Sequence, residues 1–176
     1  MKNKISFKAM ISLTVICLVT ATVLGVINHF TSPVIEVKEQ ERENAALRQV
    51  LPSGSEFSPI DTESLGLDER ITAVYREESG KGYVFKLNVK GYKSGMTVIC
   101  GIGADGTVNG AVCLNSSETL GYEKTYGGRF TGTDISSVSS VDTVSGATKT
   151  TSAYRNAVKL ALEAFDIVKS GEEAVS

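Results

Sequence analysis

Met96-Thr97-Val98-Ile99-Cys100-Gly101-Ile102-Gly103, then Ala104-Asp105-Gly106, then Thr107-Val108-Asn109-Gly110-Ala111-Val112-Cys113-Leu114-Asn115 is the stretch that decides the fold. Two runs rich in β-branched residues flank an Asp-Gly pair, which supplies the positive φ that a tight hairpin turn demands. The reading is a pair of antiparallel strands. With Asp105 and Gly106 as a two-residue loop, Cys100 faces Ala111 and Cys113 faces Val98. The two cysteines are then diagonal neighbours on one face, ~7–8 Å apart, which is long for a disulfide. Both are expected as buried free thiols.

Toward the N-terminus, Ile71–Glu77 (ITAVYRE) and the run from Gly82 to Tyr92 (GYVFKLNVKGY) read as further strands. In the second, Tyr83, Phe85, Leu87 and Val89 alternate with Val84, Lys86, Asn88 and Lys90, a period of two with one polar-leaning face. Residues 52–69 are rich in Ser, Gly, Pro and acids and read as a loop with a short helical turn. The segment from Val34 to Val50 has helical composition, with Val37, Ala45, Leu47, Val50 and Leu51 as a partial apolar stripe. It should stop before Pro52, because proline disfavours the α conformation in the residue preceding it.

Toward the C-terminus, residues 115–141 are rich in Gly, Ser and Thr, with little periodicity. A loop of about 25 residues inside a folded domain is usually functional. Beyond Thr148, the residues Tyr154, Val158, Ala161, Phe165 and Val168 fall at helical spacing and predict an amphipathic helix, with Gly171 as its stop. The order of helix, strands, loop and helix implies an α+β domain with a mainly antiparallel sheet and flanking helices.

In front of this domain, no charged residue interrupts the chain from Ala9 to Ile35. About 20 such residues in a helix cross a hydrocarbon core of ~30 Å. Lys2, Lys4 and Lys8 precede the run, and the first charge after it is Glu36. The positive-inside rule therefore expects a single-pass inner-membrane protein with a cytoplasmic N-terminus and an extracytoplasmic main domain. A cleaved signal peptide would have a shorter apolar region of about 7–15 residues and an A-x-A-like site. The expected divisions are a cytoplasmic segment 1–8, a transmembrane helix 9–30, a juxtamembrane helix 31–51 and the extracytoplasmic domain 52–176.

Composition narrows the chemistry. The formal net charge is −2, with Lys and Arg scattered among acids, so no electrostatic footprint for nucleic acid is expected. The single histidine, His29, lies beside the apolar run, and the three cysteines are far apart. A His/Cys metal site or a Ser-His-Asp or Cys-His centre within the main domain is therefore not expected. Redox chemistry, if present, would come from an organic cofactor or from another subunit.

Ser145-Gly146-Ala147-Thr148 sits at the junction into the last helix. Gly146 permits tight backbone geometry, Ala147 adds little bulk, and the helix start offers unpaired N–H groups and the positive end of its dipole. Lys149 adds a cation, and Thr148, Thr150, Thr151 and Ser152 add hydroxyls. An anion near residues 146–151 fits this composition; so does a helix cap with no ligand at all.

The segment Asp142-Thr143-Val144-Ser145-Gly146-Ala147-Thr148 resembles the flavin-attachment motif of FMN-binding domains. Such domains occur in the G subunit of the Rnf ion-translocating electron transport complex and in the related C subunit of the sodium-pumping NADH:quinone oxidoreductase. The resemblance implies one covalent FMN per chain, held as a phosphoester on Thr148 and installed by a flavin transferase that recognises Asp142. Ser145, Gly146 and Ala147 would shape the phosphate turn, flanked by Lys149 and Thr150. The family also has a loop resembling Glu-Thr-Pro-Gly-Leu-Gly that lies against the flavin. Here it reads Glu118-Thr119-Leu120-Gly121-Tyr122-Glu123, matching at Glu118, Thr119 and Gly121 and departing at Leu120, Tyr122 and Glu123. The implied function is electron relay within an ion-pumping ferredoxin:NAD oxidoreductase, beside the other membrane subunits of that complex. A stand-alone extracytoplasmic flavoprotein and a non-redox binding module are the alternatives.

Overall fold

The alternating and β-branched runs in the middle of the chain pair as their spacing demands. The computed structural model describes residues 7–62 and 65–173. Among these residues, five antiparallel strands form one sheet in sequence order: β1 Phe57–Ile60, β2 Ile71–Glu77, β3 Gly82–Val89, β4 Met96–Gly103 and β5 Val108–Asn115. Cys100 pairs with Ala111 and Val98 with Cys113, the register expected from a turn at Asp105 and Gly106. Gly106 takes φ +80°, and its N–H donates to the Gly103 carbonyl at 2.9 Å. Both cysteines are free; Cys100 is buried, but Cys113 is only partly so. Loss of water pushes the Cys100 thiol up to about 12 and that of Cys113 to about 11.

Strand β1 corrects the expectation of a loop over 52–69. It pairs Phe57 with Glu77 and Pro59 with Tyr75. Proline in a strand belongs at a sheet edge, where its missing N–H faces no partner, and β1 is such an edge. The loop expected over 115–141 is partly helical: a short helix α2, Glu123–Tyr126, runs into a 3₁₀ turn, Gly127–Phe130, and another turn follows at Val138–Ser140. Tyr126, Phe130 and Val138 are buried.

The chain divides into two compact units, Met1–Glu41 and Arg42–Ser176. Helix α1, Phe7–Val50, belongs partly to each. In the first unit, Lys8–His29 is 22 residues of apolar helix, or roughly 33 Å at the α-helical rise, enough to cross a membrane core. The Thr14, Thr20 and Thr22 hydroxyls donate back to the carbonyls of Met10, Ile16 and Leu18 at 3.0, 2.9 and 2.8 Å, which satisfies them without water. The helix is unbroken through Pro33, although an interior proline removes one backbone hydrogen bond. Residues 1–6, including Lys2 and Lys4, and residues 63, 64 and 174–176 lie outside the described residues. Of the expected cytoplasmic segment, only positions 7 and 8 are described.

In the second unit the sheet carries helix on both faces. On one, Val74, Phe85, Leu87, Val98, Cys100 and Ile102 pack with helix α3, Thr148–Glu173, through Tyr154, Val158, Ala161, Phe165 and Val168. These five α3 residues are the predicted stripe. On the other face, Val84 and Ile99 pack with Ala46, Leu47 and Val50 of the α1 end and with Leu51 just after it. Val37 and Ala45, expected in that stripe, are exposed, and Ala46 is buried instead. Gly101 and Gly110 face each other across β4 and β5, and Val50 lies against both: a Cβ on Gly110 would stand 3.1 Å from the Val50 Cα, and one on Gly101 would collide with the Val50 carbonyl. Lys86, on the expected polar face of β3, pairs with Glu43 at 2.6 Å, and Tyr75 donates to the same carboxylate at 2.6 Å. Helix α3 passes through Gly171 rather than stopping there. A Cβ at that position would come within 2.8 Å of the Leu65 side chain, so the glycine permits close approach.

Candidate functional site

Helix α3 begins where Gly146 turns the chain. Gly146 takes φ +84°, a left-handed value that other residues resist, and the space around its missing Cβ is open. The turn is tied to the helix by Thr151, which is fully buried: its hydroxyl donates to the Ala147 carbonyl at 3.0 Å and accepts from the Val144 N–H at 3.2 Å. Thr148 is exposed, and its hydroxyl makes only a long bond to the Val144 carbonyl, 3.4 Å. A glycine turn thus presents a loosely held hydroxyl at a helix start, where N–H groups lack acceptors within the helix.

This start forms one wall of a cavity of about 440 Å³, within the size range of small-molecule sites. Gly146, Ala147, Thr148, Lys149 and Thr150 line that wall. Glu118, Thr119, Leu120 and Tyr122, from the connection after β5, line the other. Of the residues expected at the site, Ser145 and Gly121 do not reach the cavity: Ser145 is exposed on the turn, and Gly121, at φ +70°, turns the chain into α2. Lys149 lies with its ammonium 6.0 Å from the centre of the Tyr92 ring, and Tyr92 also lines the cavity. On the other flank, Thr148 and Lys149 border a second cavity of about 500 Å³ together with Arg70, Lys90 and Asn156.

Glu118 joins the two walls. One carboxylate oxygen accepts from the Thr150 hydroxyl at 2.6 Å, and the other from the Lys93 N–H at 2.9 Å. Both oxygens have protein donors, so this acid fastens the β5 connection to the α3 start and to the β3–β4 turn. Gly91 makes room for it, since a Cβ there would stand 2.5 Å from Glu118 Oε1. Ser116 extends the network: its hydroxyl accepts from the Glu118 N–H at 3.2 Å and donates to Glu123 Oε1 at 2.8 Å. Glu123 also lines the cavity and is only 3% exposed, and its Oε2 has no partner among the described residues. Beneath α2, Gly127 lets the 3₁₀ turn lie on β5, where a Cβ would collide with the Ala111 carbonyl and stand 2.5 Å from the Tyr154 hydroxyl.

Residues 91–163 match the family model of the FMN-binding domain, a span that holds both walls of the cavity. The chain carries an FMN-binding domain. It is 26% identical to the G subunit of the Na(+)-translocating ferredoxin:NAD(+) oxidoreductase complex of Acetobacterium woodii, over 92% of each chain. It is 25% identical to the G subunit of the ion-translocating oxidoreductase complex of Methanosarcina acetivorans, over 89% of this chain and 92% of that one. The FMN-binding domain thus consists of the β4–β5 hairpin, the connection through α2 and most of α3, and its cavity lies where the connection meets the start of α3. The 145–148 turn and the 118–123 stretch were singled out by their resemblance to FMN-binding domains, and all their residues but Ser145 and Gly121 line the cavity. Tyr92 and Glu123 were not expected as site residues. Tyr92 lies 56 positions before Thr148 in a turn with no pattern of its own, and Glu123 has the composition of any solvated helix start.

Proposed function

We propose that this chain is a membrane-anchored flavoprotein subunit that relays electrons through FMN, covalently bound as a phosphoester on Thr148, within an ion-pumping ferredoxin:NAD oxidoreductase of the Rnf type. The observation that carries the reading is the meeting, at one cavity of about 440 Å³, of the exposed Thr148 hydroxyl with the 118–122 segment. FMN, when bound, supplies the reversible uptake and release of electrons; the chain holds and surrounds it. Thr148 carries the phosphate. Lys149, the first-turn N–H groups of α3 and, from the flanking cavity, Lys90 offset its negative charge. Gly146 leaves the approach open. Leu120, Tyr122 and Tyr92 give the ring system apolar and aromatic walls. Glu118, with both oxygens engaged, holds the two walls together and leaves the anion to the cations.

The remaining parts of the proposal follow from the same resemblance and from α1. Residues 9–30 cross the membrane, with residues 1–8 on the cytoplasmic side. Residues 31–51 join the span to an extracytoplasmic domain, 52–176. The other membrane subunits of the complex donate and accept the electrons, and a flavin transferase attaches the FMN during maturation. A phosphoester suits this role because it leaves the ring chemically unmodified while preventing loss of the cofactor to the surroundings.

Intact mass of the full chain, produced in cells that hold the transferase, tests the reading. The expected result is one FMN moiety per chain, lost on Thr148→Ala. An unmodified mass, or an increment that survives Thr148→Ala, would overturn attachment at this residue.

A further inference from the structure

The cavity holds one acidic side chain that the proposed binding of FMN does not use. Glu123 opens α2 and lies in the cavity wall, with 3% of its surface exposed. Its carboxylate takes one hydrogen bond, from Ser116, and its other oxygen has no partner among the described residues. Among those residues no lysine or arginine forms an ion pair with it. Glu118, the other acid of the wall, is different: both of its oxygens accept protein donors. A buried carboxylate with an open oxygen and no counter-charge is costly for the fold. An apolar side chain of the same size would line this wall at less cost. Because water is excluded around it, its field reaches the neighbouring cavity with little screening.

We propose that Glu123 is a fixed negative charge that holds the reduction potential of the bound flavin low. This inference rests on the reading of the cavity as the FMN site. Each electron added to the ring system brings negative charge toward the Glu123 carboxylate, so the charge favours the oxidised cofactor. Glu123 acts across space as a tuning residue and needs no contact with the reacting atoms. Ser116 sets its place, and the same hydroxyl bonds the Glu118 backbone. The element that orients the charge is therefore also the element that ties the cavity walls.

The test uses the full-length, flavin-loaded chain in detergent, with intact mass to verify loading and a spectroelectrochemical titration to read the midpoint potential. Two neutral replacements of similar volume, Glu123→Gln and Glu123→Met, are compared with Glu123→Asp. The expected result is full loading throughout, a more positive midpoint potential in both neutral variants, and a potential close to the unsubstituted value for Glu123→Asp. The Met variant should also melt at a higher temperature, because it removes an unpaired buried charge. Loaded neutral variants that titrate at or below the unsubstituted potential overturn this inference alone, as does a Glu123→Asp variant that moves as far as the neutral ones. A purely structural role would lower the melting temperature of the neutral variants and leave their potential in place. Absence of flavin from the unsubstituted chain overturns the reading of the site, and this inference with it.

Discussion

Two positions past Thr148, the buried hydroxyl of Thr150 donates to Glu118 at 2.6 Å, and through that bond one wall of the cavity holds the other. Thr150→Val keeps the shape and deletes the donor. It strands a half-buried carboxylate oxygen, for an expected loss of about 1–2 kcal/mol in stability, measurable by denaturant unfolding of the second unit. Thr148→Val, at an exposed position with a long bond, should leave stability within about 0.5 kcal/mol of the unsubstituted chain. The two threonines are chemically alike in the sequence, and only their burial separates holding from presenting. The Gly146 turn before a helix start was therefore legible from the residues alone, as a place that suits an anion or a cap; Thr148 was singled out only by the resemblance to FMN-binding domains. Roles that depend on partners far along the chain, such as Glu118 as a tie or Tyr92 beside Lys149, were not legible.

Among the elements, the β4–β5 hairpin and α3 were legible because each carries its own signal: a turn pair between β-branched runs in one case, an unbroken helical stripe in the other. Strand β1 carried none, being four residues long with a proline and two neighbours of turn-forming composition. The end of α1 was read one residue out of phase at Ala45, because which face of a charged helix is buried depends on the surface it meets. That surface is the Gly101–Gly110 step, and its smoothness can be tested. Gly101→Ala would drive a methyl group into the Val50 carbonyl and force the helix end off the sheet. Overpacking of this kind costs about 1–3 kcal/mol, and a backbone atom cannot give way as a side chain does. Thermal unfolding should therefore show a loss at the upper end of that range. Gly95→Ala, at a glycine with open space around its Cβ position but φ +86°, separates steric collision from backbone strain, and should cost less.

For the molecule as a whole, acid stability is set by carboxylates wrapped in donors. The buried Glu77 accepts from the Ser79 hydroxyl and from the N–H groups of Ser79, Lys81 and Ser55. The Ser79 hydroxyl foremost, then these N–H groups, hold its carboxyl down from the usual 4.5 to about 2. Asp134, held mainly by the Ser137 and Ser136 hydroxyls, also lies at about 2. A lowered folded-state value means that the unfolded chain binds protons first. The stabilisation is therefore complete above the ordinary carboxylate range and is lost as pH falls toward 2. Circular dichroism across that window should show unfolding, and Glu77→Gln should be less stable at neutral pH with a shallower acid dependence. Every strand pairs with its neighbour in sequence, so the sheet can zip up in the order in which a ribosome delivers it, with no strand held waiting for a distant mate. Helix α3 arrives last, with Thr148 as its first residue, and its buried stripe closes the core only at that moment. On the attachment proposed at Thr148, the modification site would come into being together with the finished core, and a truncated or stalled chain would offer no assembled site to a modifying enzyme.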